Sequence, residues 1–221
     1  MINKTANQNQ INYKKICIID YGVGNILSIK NAINFLGHEV LLTFNKKDIN
    51  QSTHVILPGV GSFPSAMKKI KDLGLYEILK EISKKKIFIL GICLGMQMLF
   101  KLSYELKKTG GLQLLDGEIK KLNFNSKIKN LRLPHIGWNN LNFNNSKNPI
   151  LKNITTEDFF YFIHNYAAYN TSNSVEITKS KYEDLVFPAI VWKKNIFGCQ
   201  FHPEKSAKSG LKILQNFIDL K

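Results

Sequence analysis

Arginine is almost absent from this chain. Of 31 basic residues only Arg132 is an arginine, and against 16 acidic residues they leave a formal net charge of +15. Such an excess by itself suggests a nucleic-acid binder. Readers of phosphates and base edges rely on arginine forks, however, and one arginine cannot supply them. Lysine doublets such as Lys46-Lys47, Lys68-Lys69, Lys107-Lys108 and Lys193-Lys194 are scattered, and the single triplet, Lys84 to Lys86, stands just before an apolar strand. We read a lysine-rich surface and expect no nucleic-acid partner. Cysteine is also scarce. Cys17, Cys93 and Cys199 form an odd set without metal-ligand spacing, which excludes a disulfide framework and a zinc site and suits a reducing cytoplasm. No metal and no cofactor is implied. Long apolar runs are missing too. The longest, Ile87 to Phe100, is interrupted by two glycines and falls short of the ~20 residues that span a bilayer, so no membrane partner is expected. The opening "MINKTANQNQINYKK" has no apolar core of a signal peptide. Residues 1–14 read as a disordered extension with too little apolar surface to offset its ordering entropy, and 15–221 as the folded domain.

What is present is an ordinary globular composition, 44% hydrophobic and 21% charged. "KICIID" is a short β-branched run that stops at "YGVGN". In "NILSIKNAINFLG", Ile26, Ile29, Ile33 and Leu36 recur at helical spacing before Gly37. "HEVLLTF" and "HVILPGVGSF" are strands, "PSAMKKIKDLGLYEILKEISKKK" is helical with a break at Gly74, "IFIL" is a fourth strand, and "LGMQMLFKLSYEL" reads as a helix. This alternation predicts an open, mostly parallel α/β sheet with helices on both faces. The second half is β-rich: "GLQLLDGEIKKLNF", "PHIGWNNLNF", "FFYFIHNYAAY", "SVEITKSKY" and a hairpin around Lys193 to Asn195 in "FPAIVWKKNIFGCQF". "SGLKILQNFIDL" closes the chain as an amphipathic helix. In such sheets ligands sit beyond the C-terminal strand ends. The turns "YGVGN", "PGVGS" and "GICLG" all fall there, so they predict one cleft.

"GICLG" has the form G-x-nucleophile-x-G, an elbow at a strand-to-helix turn. A free cysteine is only a few per cent thiolate at pH 7, and a helix N-terminus favours the ionised form. Cys93 alone could equally be a packed core thiol. "GCQFHPEKS" changes the balance. His202 can accept a thiol proton and return it to a leaving amine, and Glu204, across a stiffening proline, can orient the ring. Cys93, His202 and Glu204 thus fill the roles of nucleophile, base and orienter. The glycine-rich "PGVGSF" can aim backbone N–H groups at a tetrahedral oxyanion, each worth about 3 kcal/mol. The amides of Val60 and Leu94 are the choice here. Cys17 and Cys199, inside strand runs, read as inert core thiols. His38 and His54 read as structural. His135, His164 and Trp138 could face a partner or simply pack.

"PGVGSF", "GICLGMQ" and "QFHPEKS", in that order, resemble the class I (triad-type) glutamine amidotransferases, with similarity over essentially all of Lys15 to Lys221. "IDYGVGN", "PHIGWN", "FYFIHNY" and "EKSAKSGLKILQNF" narrow the resemblance to the glutaminase subunits of imidazole glycerol phosphate synthase. The resemblance implies a flavodoxin-like fold and a Cys-His-Glu triad. It implies hydrolysis of glutamine through a γ-glutamyl thioester on Cys93, with Gly61 and Gln97 in the glutamine pocket. It further implies a heterodimer with a (β/α)8-barrel cyclase subunit, docked against a face including Asn25, Tyr161 and Lys205. That barrel would use the ammonia to make imidazole glycerol phosphate and an aminoimidazole carboxamide ribotide in histidine biosynthesis. A paralogous group with nearly the same motifs feeds nucleotide-sugar modification for surface glycans. A non-catalytic basic binding module is the remaining alternative, and the intact Cys93, His202 and Glu204 set counts against it.

Overall fold

The computed structural model describes residues 14–122, 132–144 and 146–221. The expected polar extension, residues 1–14, lies outside the described residues except for Lys14, whose ammonium bonds the carbonyl of Ile218. The chain runs β1 (Ile16–Ile19), α1 (Ile26–Phe35), β2 (Val40–Thr43), α2 (Lys46–Asn50), β3 (His54–Leu57), α3 (Phe63–Asp72), α4 (Leu75–Ile82) and β4 (Phe88–Ile92). It continues through α5 (Leu94–Met98), β5 (Phe100–Ser103), β6 (Thr109–Gly110), β7 (Leu115–Lys121), β8 (His135–Asn142), β9 (Phe159–His164) and β10 (Tyr166–Tyr169). β11 (Glu176–Tyr182), β12 (Leu185–Lys193), β13 (Ile196–Cys199) and α6 (Ala207–Ile218) complete it.

One nine-stranded sheet has the order β2-β1-β3-β4-β13-β12-β11-β8-β9. Its first five strands are parallel, and every pairing from β13 to β9 is antiparallel. The expected sheet is therefore found, but mixed: the β-rich second half extends the parallel half. The central strands are buried on both faces, which is why they read as continuous apolar runs. Alternate residues feed two cores. Cys17, Ile19, Val55 and Leu57 pack with α2, α3 and α4. Ile16, Ile18 and Ile56 pack with α1 and α6. The break at Gly74 is real; its φ of 62° opens α4. The hairpin expected at Lys193 to Asn195 joins β12 to β13, with Lys194 at φ 56°.

Two expectations are corrected. The helix drawn over "LGMQMLFKLSYEL" stops at Met98. The carbonyls of Met98 and Leu99 accept from Leu112 and from Leu114 and Leu115, and the chain leaves as β5 in a second, four-stranded sheet, β10-β7-β5-β6. Tertiary strand pairing overrides a helical apolar spacing here. Likewise "FFYFIHNYAAY" is two strands. β9 pairs with β8, β10 pairs with β7, and Asn165 between them accepts from the N–H of Leu122.

The elbow explains its two glycines. A Cβ on Gly95 would lie 1.8 Å from the Leu57 carbonyl oxygen, and one on Gly91 would lie 2.7 Å from the carbonyl of Gly95. Strand β3, strand β4 and the first turn of α5 touch backbone to backbone. Gly95→Ala is expected to destabilise the chain by about 3 kcal/mol, the upper end for overpacking. Urea unfolding measures it, and a loss below about 1 kcal/mol would contradict this account.

Candidate active site

Cys93 stands between β4 and α5 with φ 53° and ψ −112°, a conformation that side chains other than glycine rarely adopt. Such strain costs on the order of 1–3 kcal/mol and persists only where the surroundings enforce it. Here they do: its N–H donates to the Cys199 carbonyl at 2.7 Å, across the parallel β4–β13 pair. Residue 199 leads directly to Gln200, Phe201 and His202. The backbone of His202 is pinned in turn. Its N–H donates to the Tyr161 carbonyl at 2.9 Å, and its carbonyl accepts from Ser206 Oγ at 2.6 Å.

His202 Nδ1 lies 2.8 Å from Glu204 Oε1. A carboxylate only accepts, so Nδ1 carries the proton and Nε2 remains for the sulfur. The Cys93 sulfur and the His202 ring line the same cavity. Burial would pull the His202 pKa down, but the hydrogen bonds and negative charge of Cys93 and Glu204 outweigh it and raise the value to about 10. The arrangement favours an imidazolium over a neutral ring. The other cysteines are unlike Cys93 in setting: burial raises Cys17 to about 11 and raises Cys199 further.

A cavity of about 340 Å³ opens over the sulfur, lined by Val60, Gly61, Cys93, Leu94 and Gln97 among others. The structure thus brings Val60, Gly61, Leu94 and Gln97 to one cavity with Cys93 and His202. Leu94 is the first residue of α5, so its N–H has no acceptor within the helix. Gln97 is more constrained than expected. Its Nε2 donates to the Tyr166 carbonyl at 3.0 Å and to Gln200 Oε1 at 3.1 Å, which leaves its oxygen for a ligand.

Asn25, Tyr161 and Lys205 stand outside this cavity. Asn25 precedes α1, Lys205 sits in the 3-10 turn after His202, and α1 packs against that turn. Tyr161 lies on β9 with its ring against Trp138, 5.7 Å between centroids. His135 and His164 pack inside the fold, His164 also in the cavity wall. Both are buried, 3.0 Å apart between Nδ1 and Nε2, and burial lowers the pKa of each, His164 to about 3.

Two residues escaped the sequence reading, one in the cavity wall and one buried behind it. Glu105 was hidden in the supposed helix. It lines the cavity, accepts from the Phe63 N–H at 2.8 Å, and has its pKa raised by desolvation. Gln200 lay inside a strand run. Its position two residues before His202, on an extended chain where alternate side chains share a side, was the available signal.

A class-I glutamine amidotransferase family model matches residues 17–220. The chain belongs to that family. Among curated relatives of this amidotransferase, the imidazole glycerol phosphate synthase subunit HisH of Lactococcus lactis subsp. lactis is 42% identical over 93% of this chain and 98% of its own. The protein of the same name from Bacillus cereus (strain B4264) is 45% identical over 91% and 93%, and that from Caldanaerobacter subterraneus subsp. tengcongensis is 43% identical over 93% and 98%. Among solved structures, one described as a glutamine amidotransferase superposes with a TM-score of 0.70 at 17% identity, covering 92% of this chain and 97% of that one. PurLQS from Thermotoga maritima gives 0.69 at 19%, covering 94% and 98%. At those identities the structures speak for the amidotransferase fold alone.

The raised pKa of His202 carries a sign. A charged His202 adds stability that is complete below the unfolded value near 6.5 and is lost as pH rises through about 10. The gap in urea midpoint between wild type and His202→Asn is therefore expected to shrink from pH 7 to pH 10. A gap that is constant or grows would refute the ion pair.

Proposed function

We propose that this chain is the glutaminase subunit of an imidazole glycerol phosphate synthase. The observation that carries the reading is the union of Cys93, His202 and Glu204 at one cavity in a class-I amidotransferase. Identities of 42–45% to proteins named as that enzyme's HisH subunit favour the histidine pathway over surface-glycan modification.

In this reading the proton already rests on His202 Nε2, and the Cys93 thiolate paired with it attacks the γ-amide carbon of glutamine. The amides of Val60 and Leu94 receive the oxyanion. The imidazolium returns its proton to the amine, ammonia leaves, and a γ-glutamyl thioester remains. Water, deprotonated by His202, then adds to the thioester carbon. Collapse expels the thiolate, which is reprotonated, and glutamate departs. Glu204 holds the ring throughout. Gly61 and Gln97 line the substrate's side chain. Glu105, a carboxylate in a partly desolvated wall of the same cavity, suits the substrate's α-ammonium group.

The partner in this reading is a (β/α)8-barrel cyclase subunit that receives the ammonia. An apolar strip supports docking beside the cavity. In the β8–β9 register Ile136 faces Ile163 and Trp138 faces Tyr161, and Ile136, Trp138 and Ile163 are exposed at 55%, 50% and 38%. Exposed clusters of this kind mark interaction surfaces. Ile163 belongs to both strip and cavity, and Tyr161 holds the His202 backbone. Asn25 and Lys205 flank the same region. The reading puts the protein in the cytoplasm, consistent with three free cysteines. Among the described residues no helix is long and apolar enough to cross a membrane.

Cys93→Ala is expected to abolish synthesis driven by glutamine while sparing synthesis driven by ammonium, measured on the reconstituted pair. Equal loss of both would overturn the division of labour. Trp138→Ala should weaken barrel binding roughly thirtyfold, the effect of losing an anchor worth about 2 kcal/mol. Calorimetric titration reads it, and unchanged affinity would move the docking face elsewhere.

A further inference from the structure

Behind the cavity wall lies a polar order that the triad does not explain. Gln200 follows β13 and is wholly buried, its N–H tied to the Ala189 carbonyl at 2.8 Å. Its carboxamide bridges two groups. Gln97 Nε2 donates to Gln200 Oε1 at 3.1 Å, and Gln200 Nε2 points to the Cys93 sulfur at 3.9 Å. A carboxamide can be turned end for end, and the two orientations present opposite partial charges to the sulfur. The backbone decides between them. The Tyr166 carbonyl can only accept, and it takes hydrogen bonds from Gln97 Nε2 at 3.0 Å and His164 Nδ1 at 2.9 Å. Gln97 must therefore turn its NH2 toward Tyr166. The same nitrogen meets Gln200, whose near atom must be oxygen. Only the NH2 of Gln200 is left to face the sulfur.

We infer that Gln200 is a positioning residue that holds a hydrogen-bond donor on the Cys93 sulfur and stabilises its negative charge. The name of the reaction rests on the function proposed above; the contact with sulfur does not. The sulfur's other neighbours act differently. His202 exchanges the proton with it, and the Ile163 carbonyl, 3.8 Å away, only accepts and so favours the neutral thiol. Gln200 adds a donor that does not depart with the proton. While His202 holds the proton, the charge rests on sulfur and the donor stabilises it. When the thioester collapses, the electron pair returns to sulfur and the same donor assists the thiolate as leaving group. Gln97 acts through Gln200 by keeping its amide from turning.

Two variants of the full chain test this. Gln200→Glu keeps an acceptor for Gln97 at nearly constant volume but turns an acceptor toward the sulfur. Gln200→Met removes the donor without adding charge. Alkylation of Cys93 by iodoacetamide at pH 7, followed on its own peptide by mass spectrometry, should slow about tenfold in the Met variant and further in the Glu variant, as expected for a hydrogen bond to a charged group. With the barrel partner, kcat for glutamine hydrolysis should fall in the same order while KM for glutamine stays within about twofold. A merely structural residue would be tolerated better as the near-isosteric Glu. Alkylation at the wild-type rate in either variant, a Glu variant faster than Met, a loss confined to KM, or failure of both variants to fold overturns the assignment. A wild type that splits no glutamine with its partner, yet shows the ordered loss of alkylation, would sink the functional reading and leave Gln200 in its role.

Discussion

The parallel pairing of β4 with β13 is the contact on which the site depends. Ile92 lies opposite Cys199, and the Cys93 N–H closes the ladder onto the Cys199 carbonyl. This one register places Cys93, the proposed nucleophile, at the end of one strand and His202, the proposed base, just beyond the end of its neighbour. A shift by a single residue would turn Gln200 and His202 to the wrong side of the sheet. Precise chemistry here rests on main-chain hydrogen bonds between segments about a hundred residues apart in sequence, not on loops free to move.

The elbow could not hold Cys93 in its unfavourable backbone conformation alone. The small volume at Gly91 and Gly95 lets β3, β4 and α5 approach until backbones touch, and the Leu57 carbonyl closes that space. Burial then does two opposed things. It pushes the thiols of Cys17 and Cys199 toward the neutral form. At the triad the same low dielectric strengthens each charge-assisted hydrogen bond, so His202 is held protonated despite being desolvated. The difference is partners: Cys199 has none of suitable charge, while His202 has Glu204 on Nδ1 and shares its cavity with the Cys93 sulfur.

The antiparallel extension links chemistry to the surface. β9 supplies the carbonyl that seats His202, the carbonyl of Ile163 that touches the sulfur, and part of the exposed apolar strip. Its continuation past Asn165 enters the second sheet, where Tyr166 anchors Gln97. A partner resting on this strand would bear on residues one or two bonds from the reacting atoms, without any long relay.

Much was legible in the residues alone. β-branched runs ending in glycine turns marked the parallel strands, because buried strands need apolar side chains on both faces. The elbow and the His-Pro-Glu segment marked the proposed triad, because a nucleophile, a base and an orienter would require those side chains at those turns. Pattern could not say where α5 ends, since Leu99 and Phe100 suit a helix as well as a strand and only the N–H groups of the 111–115 segment, which donate to the carbonyls of residues 98–101, choose. Nor could it separate β9 from β10, give His135 and His164 their buried partners, or find Glu105 and Gln200. Those roles arise from which carbonyl or amide a side chain meets across the fold, and such meetings have no imprint in local spacing. Side-chain chemistry was set by the sequence; the direction in which each amide and ring points was decided only when distant backbone groups came to face it.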